Sequence, residues 1–213
     1  VKDFKEAGGR LVGYLCSYTP LEVIDAAGAA AVGLCGTSNE TVSIAETVLP
    51  SNLCPLIKST FGFALADKCP FTYFSDLIVG ETTCDGKKKM YEIMAKDVPM
   101  HIMELPHMKR DVDVARFAQE IALFAKNVEE VTGNELTAEK LAEAIDIINN
   151  RRKALARVYE TRKDPDTIPI SGTDALLMMQ IAFFDDPVRC AEMANKLADE
   201  LEQRLVDKVS VFP

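Results

Sequence analysis

The sequence has few of the features that mark several common protein classes. Its 213 residues include no Trp, only two His, and no pair of cysteines with the spacing C-x-x-C. The absence of such pairs excludes zinc-ribbon, thioredoxin-like and ferredoxin-like patterns. Every apolar run is broken well short of the roughly 18 residues that a membrane span needs, and the first residues do not resemble a secretion signal. We therefore expect a cytoplasmic protein without a membrane partner.

Basic residues are also scarce. The chain has 24 Lys and Arg against 33 Asp and Glu, for a formal net charge of −9. A surface that binds a nucleic-acid duplex needs a basic face, so we expect no nucleic-acid partner. Hydrophobic residues make up 48% of the chain and charged residues 27%, a balance that is typical of globular proteins with a buried core.

Strand and helix patterns alternate through the first 110 residues. Apolar runs at 10–16, 30–35, 75–80 and 99–105 predict four strands. Capping-box patterns at 19–22 and 37–40 predict helix starts after the first two strands, and Gly28 can end the first of these helices. Apolar strands separated by helices pair in parallel with both faces covered. The sequence therefore predicts an α/β fold with a small parallel, Rossmann-like three-layer sheet.

The pattern changes after Pro106, where helical periodicity dominates. It covers 112–132, 138–160, 172–184 and 187–208. Gly133 is a predicted helix end, and Ser171 and Asp186 are predicted helix starts. We predict an α/β domain at 1–110 and a helical section at 111–213 that packs on it.

The chain has six cysteines, at positions 16, 35, 54, 69, 84 and 190. In a chain without an export signal, this early concentration favours metal or redox chemistry over disulfides. Cys16, Cys35 and Cys84 follow predicted strands, and open parallel sheets bind ligands at the carboxyl ends of their strands. The alternative for each cysteine is a small hydrophobic side chain in the core.

Two of the cysteines precede predicted helices. Cys54 is followed by Pro55, and Cys84 is followed by a helical pattern that contains three lysines. Unpaired backbone N–H groups and the helix dipole at a helix start favour a thiolate, which is the form of Cys that binds metal. Iron–sulfur clusters are held by such thiolates.

Two long segments carry a resemblance to a known family. Residues 49–59 read LPSNLCPLIKS and residues 79–92 read VGETTCDGKKKMYE. These closely resemble signature segments of the 2-hydroxyacyl-CoA dehydratases, benzoyl-CoA reductases and double-cubane cluster proteins, and residues 16–28 resemble a third. The resemblance implies an iron–sulfur cluster, either a cubane or a double cubane, with Cys54 and Cys84 as ligands.

Residues 34–40 and 67–70 resemble the double-cubane branch of this family in particular. That resemblance implies extra cysteine ligands, with Cys35 as the next candidate and Cys16 and Cys69 as weaker ones. Cys190 lies far from the signature segments and is expected in the core.

The same resemblance implies a function. We expect a cluster-bearing component of an ATP-coupled, low-potential reductase that acts on small molecules and receives electrons from a separate iron–sulfur ATPase activator. A homodimer or a related second subunit is expected, as is oxygen sensitivity. Family members carry a second α/β domain of similar size that this sequence lacks, so we expect a first half that is inactive alone. The alternatives are a 2-hydroxyacyl-CoA dehydratase subunit and a non-catalytic structural or zinc-binding domain.

Other candidate sites have simpler explanations, and the sequence identifies no catalytic residue. Residues 80–88 resemble a phosphate loop, but five residues separate the glycines and Lys88 stands where Ser or Thr should be. His101 and His107 could donate protons near a cluster or simply be packed or solvated. Residues 38–40 could face a substrate, although capping already explains them.

Overall fold

The computed structural model describes residues 1–212, and these form one parallel sheet with helices along the rest of the chain. The strands are β1 (Arg10–Tyr14), β2 (Ala29–Gly33), β3 (Leu77–Glu81) and β4 (Met100–Met103). The helices are α1 (Lys2–Glu6), α2 (Leu21–Ala26), α3 (Val42–Ala45), α4 (Pro55–Leu65), α5 (Pro70–Phe74), α6 (Asp85–Met94), α7 (Asp111–Thr132), α8 (Ala138–Glu160), α9 (Gly172–Ile181) and α10 (Pro187–Val206). Short 3-10 turns cover Asn39–Thr41 and Thr161–Lys163.

The four strands pair in the order β2-β1-β3-β4, and all of them are parallel. The chain first moves from β1 to β2 on one side and then crosses back to β3 and β4 on the other. The direction of winding therefore reverses between β1 and β3. In open parallel sheets the crevice at the carboxyl ends of such a pair of strands is the usual ligand site.

Helices cover both faces of the sheet, which confirms the predicted α/β fold. Successive residues of a strand point to opposite faces, and Leu11 and Val12 of β1 accordingly belong to two different core clusters. The first cluster takes side chains from α4 and α6, which are Ile57, Phe61, Met90, Tyr91 and Met94. The second takes them from α2 and α7, which are Val23, Ile24, Phe124 and Val128.

Most of the predicted helix ends are confirmed. Gly28 and Gly133 follow α2 and α7 with φ of +73° and +74°, a conformation that glycine adopts at little cost. The side chains of Ser171 and Asp186 accept hydrogen bonds from backbone N–H groups at the starts of α9 and α10.

The two predicted capping boxes near the start of the chain turn out differently. Pro20, rather than Thr19, precedes α2, and no side chain caps that helix. The first capping-box prediction is therefore wrong, because the Thr19 hydroxyl donates to Glu81 on β3 instead. The second capping-box prediction is also wrong, because Ser38 rather than Thr37 accepts a hydrogen bond, from the Glu40 N–H, and only a 3-10 turn and the short helix α3 follow.

The chain forms two compact units, which divide between Thr137 and Ala138. The first contains the sheet and α1–α7, with α7 in the sheet's second core cluster. The sequence pattern instead groups α7 with the later helices. In the second unit α8 and α10 pack through small and branched side chains, including Ala154, Val158, Ala194 and Leu201. Within residues 1–212, no helix is long and apolar enough to span a membrane.

Candidate functional site

Three of the cysteines follow the ends of strands at the carboxyl edge of the sheet. Tyr14 of β1 pairs with Gly33 of β2, so Cys16 and Cys35 each lie two residues beyond a paired position. Cys84 lies three residues beyond the end of β3. Because β2, β1 and β3 are parallel neighbours, the backbone brings these cysteines to one edge, on both sides of the reversal between β1 and β3. We call this region the cysteine edge.

Cys54 and Cys84 both occupy the position directly before a helix, as the sequence predicts. Cys54 precedes α4, whose first residue is Pro55, and its side chain makes no capping hydrogen bond. Cys84 precedes α6, and its Sγ accepts a hydrogen bond from the Lys87 N–H at 3.3 Å. Both side chains are exposed. An exposed sulfur beside helix N–H groups is well placed to bind as a thiolate.

The starts of α4 and α6 pack against each other. A Cβ atom at Gly86, in the first turn of α6, would lie 2.9 Å from the Cδ1 atoms of both Leu53 and Ile57. Leu53 directly precedes Cys54, and Ile57 lies in the first turn of α4. This contact therefore brings the helix starts capped by Cys54 and Cys84 into one region of the molecule.

The loop that carries Cys35 is attached to the same helix α4. The Gly36 N–H donates to Thr60 Oγ1 at 2.9 Å, and a Cβ atom at Gly36 would lie 2.5 Å from the Thr60 backbone nitrogen. Ser59 Oγ also donates to the carbonyl of Ser38 at 2.6 Å. A loop held this close to α4 has little freedom to move away from it. Cys35 therefore stays near the helix that Cys54 precedes.

A lysine contributes positive charge to the cysteine edge. Lys87 Nζ donates to the carbonyl of Leu15, the residue before Cys16, at 2.8 Å. Although Cys35 is exposed, partial desolvation of its sulfur raises the pKa of the thiol, while the Lys87 charge lowers it and Cys16 raises it. Cys16, Cys35 and Lys87 therefore interact electrostatically, and Lys87 favours negative charge at this edge.

A second, buried lysine fixes the segment in front of Cys54. Lys58 is buried on α4, and its Nζ donates to Glu46 Oε1 and to the carbonyl of Ser51, both at 2.6 Å. No motif in the sequence points to Lys58. The only signal for it was a charged side chain between the otherwise uncharged residues Ile57 and Ser59 on the predicted helix.

The remaining two cysteines lie elsewhere. Cys69 caps the short helix α5 and accepts a hydrogen bond from the Thr72 N–H at 3.5 Å. It lines a cavity with Leu65, the last residue of α4, and with Val98, which lies beyond the end of α6. Cys54 and Cys84 instead precede those helices, so Cys69 lies at the opposite ends of α4 and α6. Cys190 is buried on α10 in the second unit, as predicted.

The two histidines differ in their surroundings. His101 on β4 lies with Nδ1 at 3.2 Å from Asn127 Nδ2 and with its ring centroid 5.2 Å from that of Phe124. Burial lowers the pKa of this imidazole, which makes it a packed, neutral side chain. His107 instead lines an open cavity of about 530 Å³ beyond β3 and β4, together with Tyr18, Thr82, Thr83, Lys109 and Phe117.

The predicted polar residues after β2 have structural roles. Ser38 caps the 3-10 turn, and Glu40 forms an ion pair with Lys68 at 3.0 Å. Both Glu40 and Asn39 are exposed. These contacts account for Ser38 and Glu40 without a substrate.

The grouping of potential metal ligands bears on the kind of metal centre that the cysteines could hold. Among residues 1–212, no three His, Cys, Asp or Glu side chains are grouped closely enough to hold one metal ion. A structural zinc ion needs such a compact tetrahedral set, whereas the thiolates of an iron–sulfur cluster surround a body of several atoms and lie further apart. Exposed thiols, a sulfur that accepts an N–H bond and a nearby ammonium group fit the chemistry of a cluster.

Comparison with known proteins identifies the family. The profile of the "2-hydroxyglutaryl-CoA dehydratase, D-component" family matches residues 16–212. The chain is 50% identical over 186 residues to the "putative dehydratase subunit YjiM" of Escherichia coli (strain K12). The aligned region covers 86% of the chain and 48% of that relative. It is 25% identical over 206 residues to the (R)-phenyllactyl-CoA dehydratase beta subunit of Clostridium sporogenes, covering 95% of the chain and 54% of the relative.

A reductase is also represented among the relatives. The chain is 25% identical over 187 residues to a benzoyl-CoA reductase subunit of Thauera aromatica, covering 84% of the chain and 47% of that relative. The chain thus spans about half the length of the curated relatives that it matches. The family resemblance seen in the signature segments is confirmed, and the chain belongs to the 2-hydroxyglutaryl-CoA dehydratase D-component family.

Proposed function

We propose that this chain is the cluster-binding part of a subunit of a low-potential dehydratase or reductase. The single observation that carries the proposal is the arrangement of Cys35, Cys54 and Cys84. All three are exposed, two of them cap helices whose first turns pack together, and the third lies on a loop bonded to one of those helices. The names of the relatives, which are subunits of dehydratases and of a reductase, support the same interpretation.

Cys54, Cys84 and Cys35 would hold an iron–sulfur cluster, either a cubane or a double cubane. When bound, such a cluster supplies single electrons at low potential. The residues of the chain then have separate tasks. The Lys87 N–H orients the Cys84 sulfur, the Lys87 ammonium group offsets negative charge, and Lys58 holds the segment before Cys54 in place.

The cavity beyond β3 and β4 is a candidate site for a small substrate. Its walls include Thr82 and Thr83, which directly precede Cys84, and Tyr18, which follows Cys16 by two residues. Aromatic and apolar walls with a few polar groups are typical of small-molecule sites, and here Lys109 could bind an anionic group. The likeness to the double-cubane branch favours reduction of a small molecule, while the dehydratase names among the relatives favour a 2-hydroxyacyl thioester.

Several partners follow from this proposal. The sequence has no phosphate-loop signature of its own, so ATP-coupled electron delivery would need a separate iron–sulfur ATPase as activator. The relatives are named as beta subunits of dehydratases and as one of the subunits of a reductase, which supports a second, related subunit in the assembly, with a homodimer as the alternative. The negative charge and the absence of a spanning helix within residues 1–212 are compatible with a cytoplasmic enzyme.

The test is anaerobic purification followed by metal, sulfide and activity analysis. We expect iron with inorganic sulfide and a broad visible charge-transfer absorption. In the complete enzyme assembly that contains this chain, we expect turnover that requires an activator, ATP and reductant. A 2-hydroxyacyl-CoA and small reducible molecules should be assayed in parallel, because the two outcomes separate dehydratase from reductase. Stoichiometric zinc without visible absorption would instead support a structural zinc-binding domain.

A further inference from the structure

A buried carboxylic acid lies directly beneath the cysteine edge. Glu81 is the last residue of β3 and is completely buried. Its Oε1 accepts a hydrogen bond from the hydroxyl of Thr19, which is itself 3% exposed. Thr19 is three residues after Cys16, and Glu81 is three residues before Cys84. The carboxyl group therefore connects the loops that follow β1 and β3, the two strands between which the winding of the sheet reverses.

Part of this buried group has no hydrogen-bond partner. Within the described part of the chain, Glu81 Oε2 is buried without one, while the buried hydroxyl of Tyr91 lies close to the Glu81 backbone. The Tyr91 ring lies against the strand just before Glu81, since a Cβ atom at Gly80 would be 2.7 Å from Tyr91 Cε2 and Cζ. Burying an ionised carboxylate with an open oxygen is costly. The surroundings therefore favour the protonated form of the Glu81 carboxyl group, and Oε2 can carry the proton.

Burial and the neighbouring groups together bring the pKa of Glu81 close to neutral. Burial raises the pKa of Glu81 to about 7, while the Thr19 hydrogen bond and the Lys87 charge act in the opposite direction. Tyr91 stays protonated, because burial and then the charges of Glu81, Cys16 and Cys84 raise its pKa. On its other side, Glu81 pairs with the apolar Met103 of β4.

These contacts place the acid in the same electrostatic environment as the cysteines. Lys87 acts on both Glu81 and Cys35, and Tyr91 responds to Glu81, Cys16 and Cys84 together. Charges separated by a protein interior are weakly screened. Lys87 supplies the geometric link, because its N–H donates to Cys84 Sγ and its Nζ donates to the carbonyl next to Cys16, while its charge acts on Glu81. Negative charge gained at the cysteine edge should therefore raise the pKa of the buried carboxyl group.

We propose that Glu81 takes up a proton when the cysteine edge takes up an electron, and thereby sets how the reduction potential depends on pH. This inference rests on the proposed function, since it requires a redox cluster at that edge. One electron arrives from an external reductant, one proton arrives from water, and an O–H bond forms at the Glu81 carboxylate. The total charge of the region is unchanged. Glu81 acts on the cluster through this charge balance and touches no substrate, so it is a positioning residue.

The test is a redox titration of the anaerobically reconstituted protein between pH 6 and pH 9. For the wild type we expect the midpoint potential to fall as pH rises above about 7, approaching 59 mV for each tenfold change in proton concentration. Glu81→Gln keeps the size of the side chain and can still accept the Thr19 hydrogen bond, but it cannot exchange a proton. Its potential should be nearly independent of pH in this window.

Glu92→Gln is the matched control. Glu92 lies on α6 next to Tyr91, is exposed, and pairs with Lys89 at 2.8 Å, so its loss should leave the slope of the wild type unchanged. A wild-type potential that does not vary with pH would overturn the inference without any variant, and so would a slope that survives in Glu81→Gln. A protein that binds no iron would contradict the proposed function itself.

A second measurement does not depend on the cluster. In the protein without iron, the infrared band of a protonated carboxylic acid should disappear as pH rises through about 7, and Glu81→Gln should lack that band. A purely structural Glu81 that stays ionised throughout would show no such band in the wild type, which would also overturn the inference.

Discussion

The buried acid Glu81 makes the stability of the first compact unit depend on pH. Its pKa is raised from the usual 4.5 to about 7, chiefly by burial. Between these two values the folded chain holds a proton that the unfolded chain has released. Stability contributed by this group is therefore fully present below about pH 4.5 and is lost as pH rises through 7. At 1.36 kcal/mol for each tenfold change, the loss is about 3 kcal/mol.

Substituting Glu81→Gln should remove this dependence. We expect the variant and the wild type to differ by at most about 1 kcal/mol at pH 5, because both then carry a neutral, hydrogen-bonded side chain. At pH 8.5 the variant should be the more stable of the two, by up to about 3 kcal/mol, since the wild type must bury a carboxylate there.

Urea unfolding under reducing conditions measures this difference without iron. The chain has no Trp, and four of its five tyrosines, at positions 14, 18, 73 and 91, lie in the first unit, so tyrosine fluorescence reports mainly on the unfolding of that unit. Glu92→Gln again serves as the control and should follow the wild type at both pH values. If Glu81→Gln were less stable than the wild type by the same amount at pH 5 and pH 8.5, the reasoning would be refuted.

Two further predictions concern the packing around α4, and urea unfolding tests both. A Cβ atom at Gly62 would lie 2.2 Å from the Thr41 carbonyl oxygen, so Gly62→Ala should destabilise the protein by about 1–3 kcal/mol, whereas Gly172→Ala, with nothing within 4 Å, should cost nothing. Lys58→Met removes two charge-assisted hydrogen bonds of a buried lysine. It should lower the free energy of unfolding by about 1–3 kcal/mol and should also lower iron uptake. The exposed control Lys68→Met should change the free energy of unfolding by less than about 1 kcal/mol. Equal stabilities within either pair would contradict the packing described here.

Local sequence signals predicted the strands and most helix ends because the interactions that fix them are local. Alternating apolar runs with helices between them specify parallel strands, and Gly133, Ser171 and Asp186 act within one turn of their own helices. The prediction at Thr19 was wrong for the opposite reason. Its hydroxyl donates to a carboxylate 62 residues away, and a capping pattern gives no information about such a partner.

Periodicity also does not show which surface a helix covers. The apolar positions of α7 indicate a helix with one buried face, but only the folded chain shows Phe124 and Val128 in the core against the sheet. Similarly, Cys69 precedes a helix as Cys54 and Cys84 do, so the local sequence does not distinguish it from them. Only the fold shows that Cys69 lies at the far ends of α4 and α6. The signal for Glu81 was a single acid at the end of an apolar run, which the sequence analysis passed over.

The central claim is that Cys54 and Cys84 bind iron, and the iron and sulfide content per chain tests it most directly. After anaerobic reconstitution, Cys54→Ser and Cys84→Ser should each lose at least half of the iron and sulfide of the wild type. Cys190→Ser, which alters a buried thiol in the second unit, should retain both. Iron and sulfide contents that are the same in all four proteins would contradict the assignment.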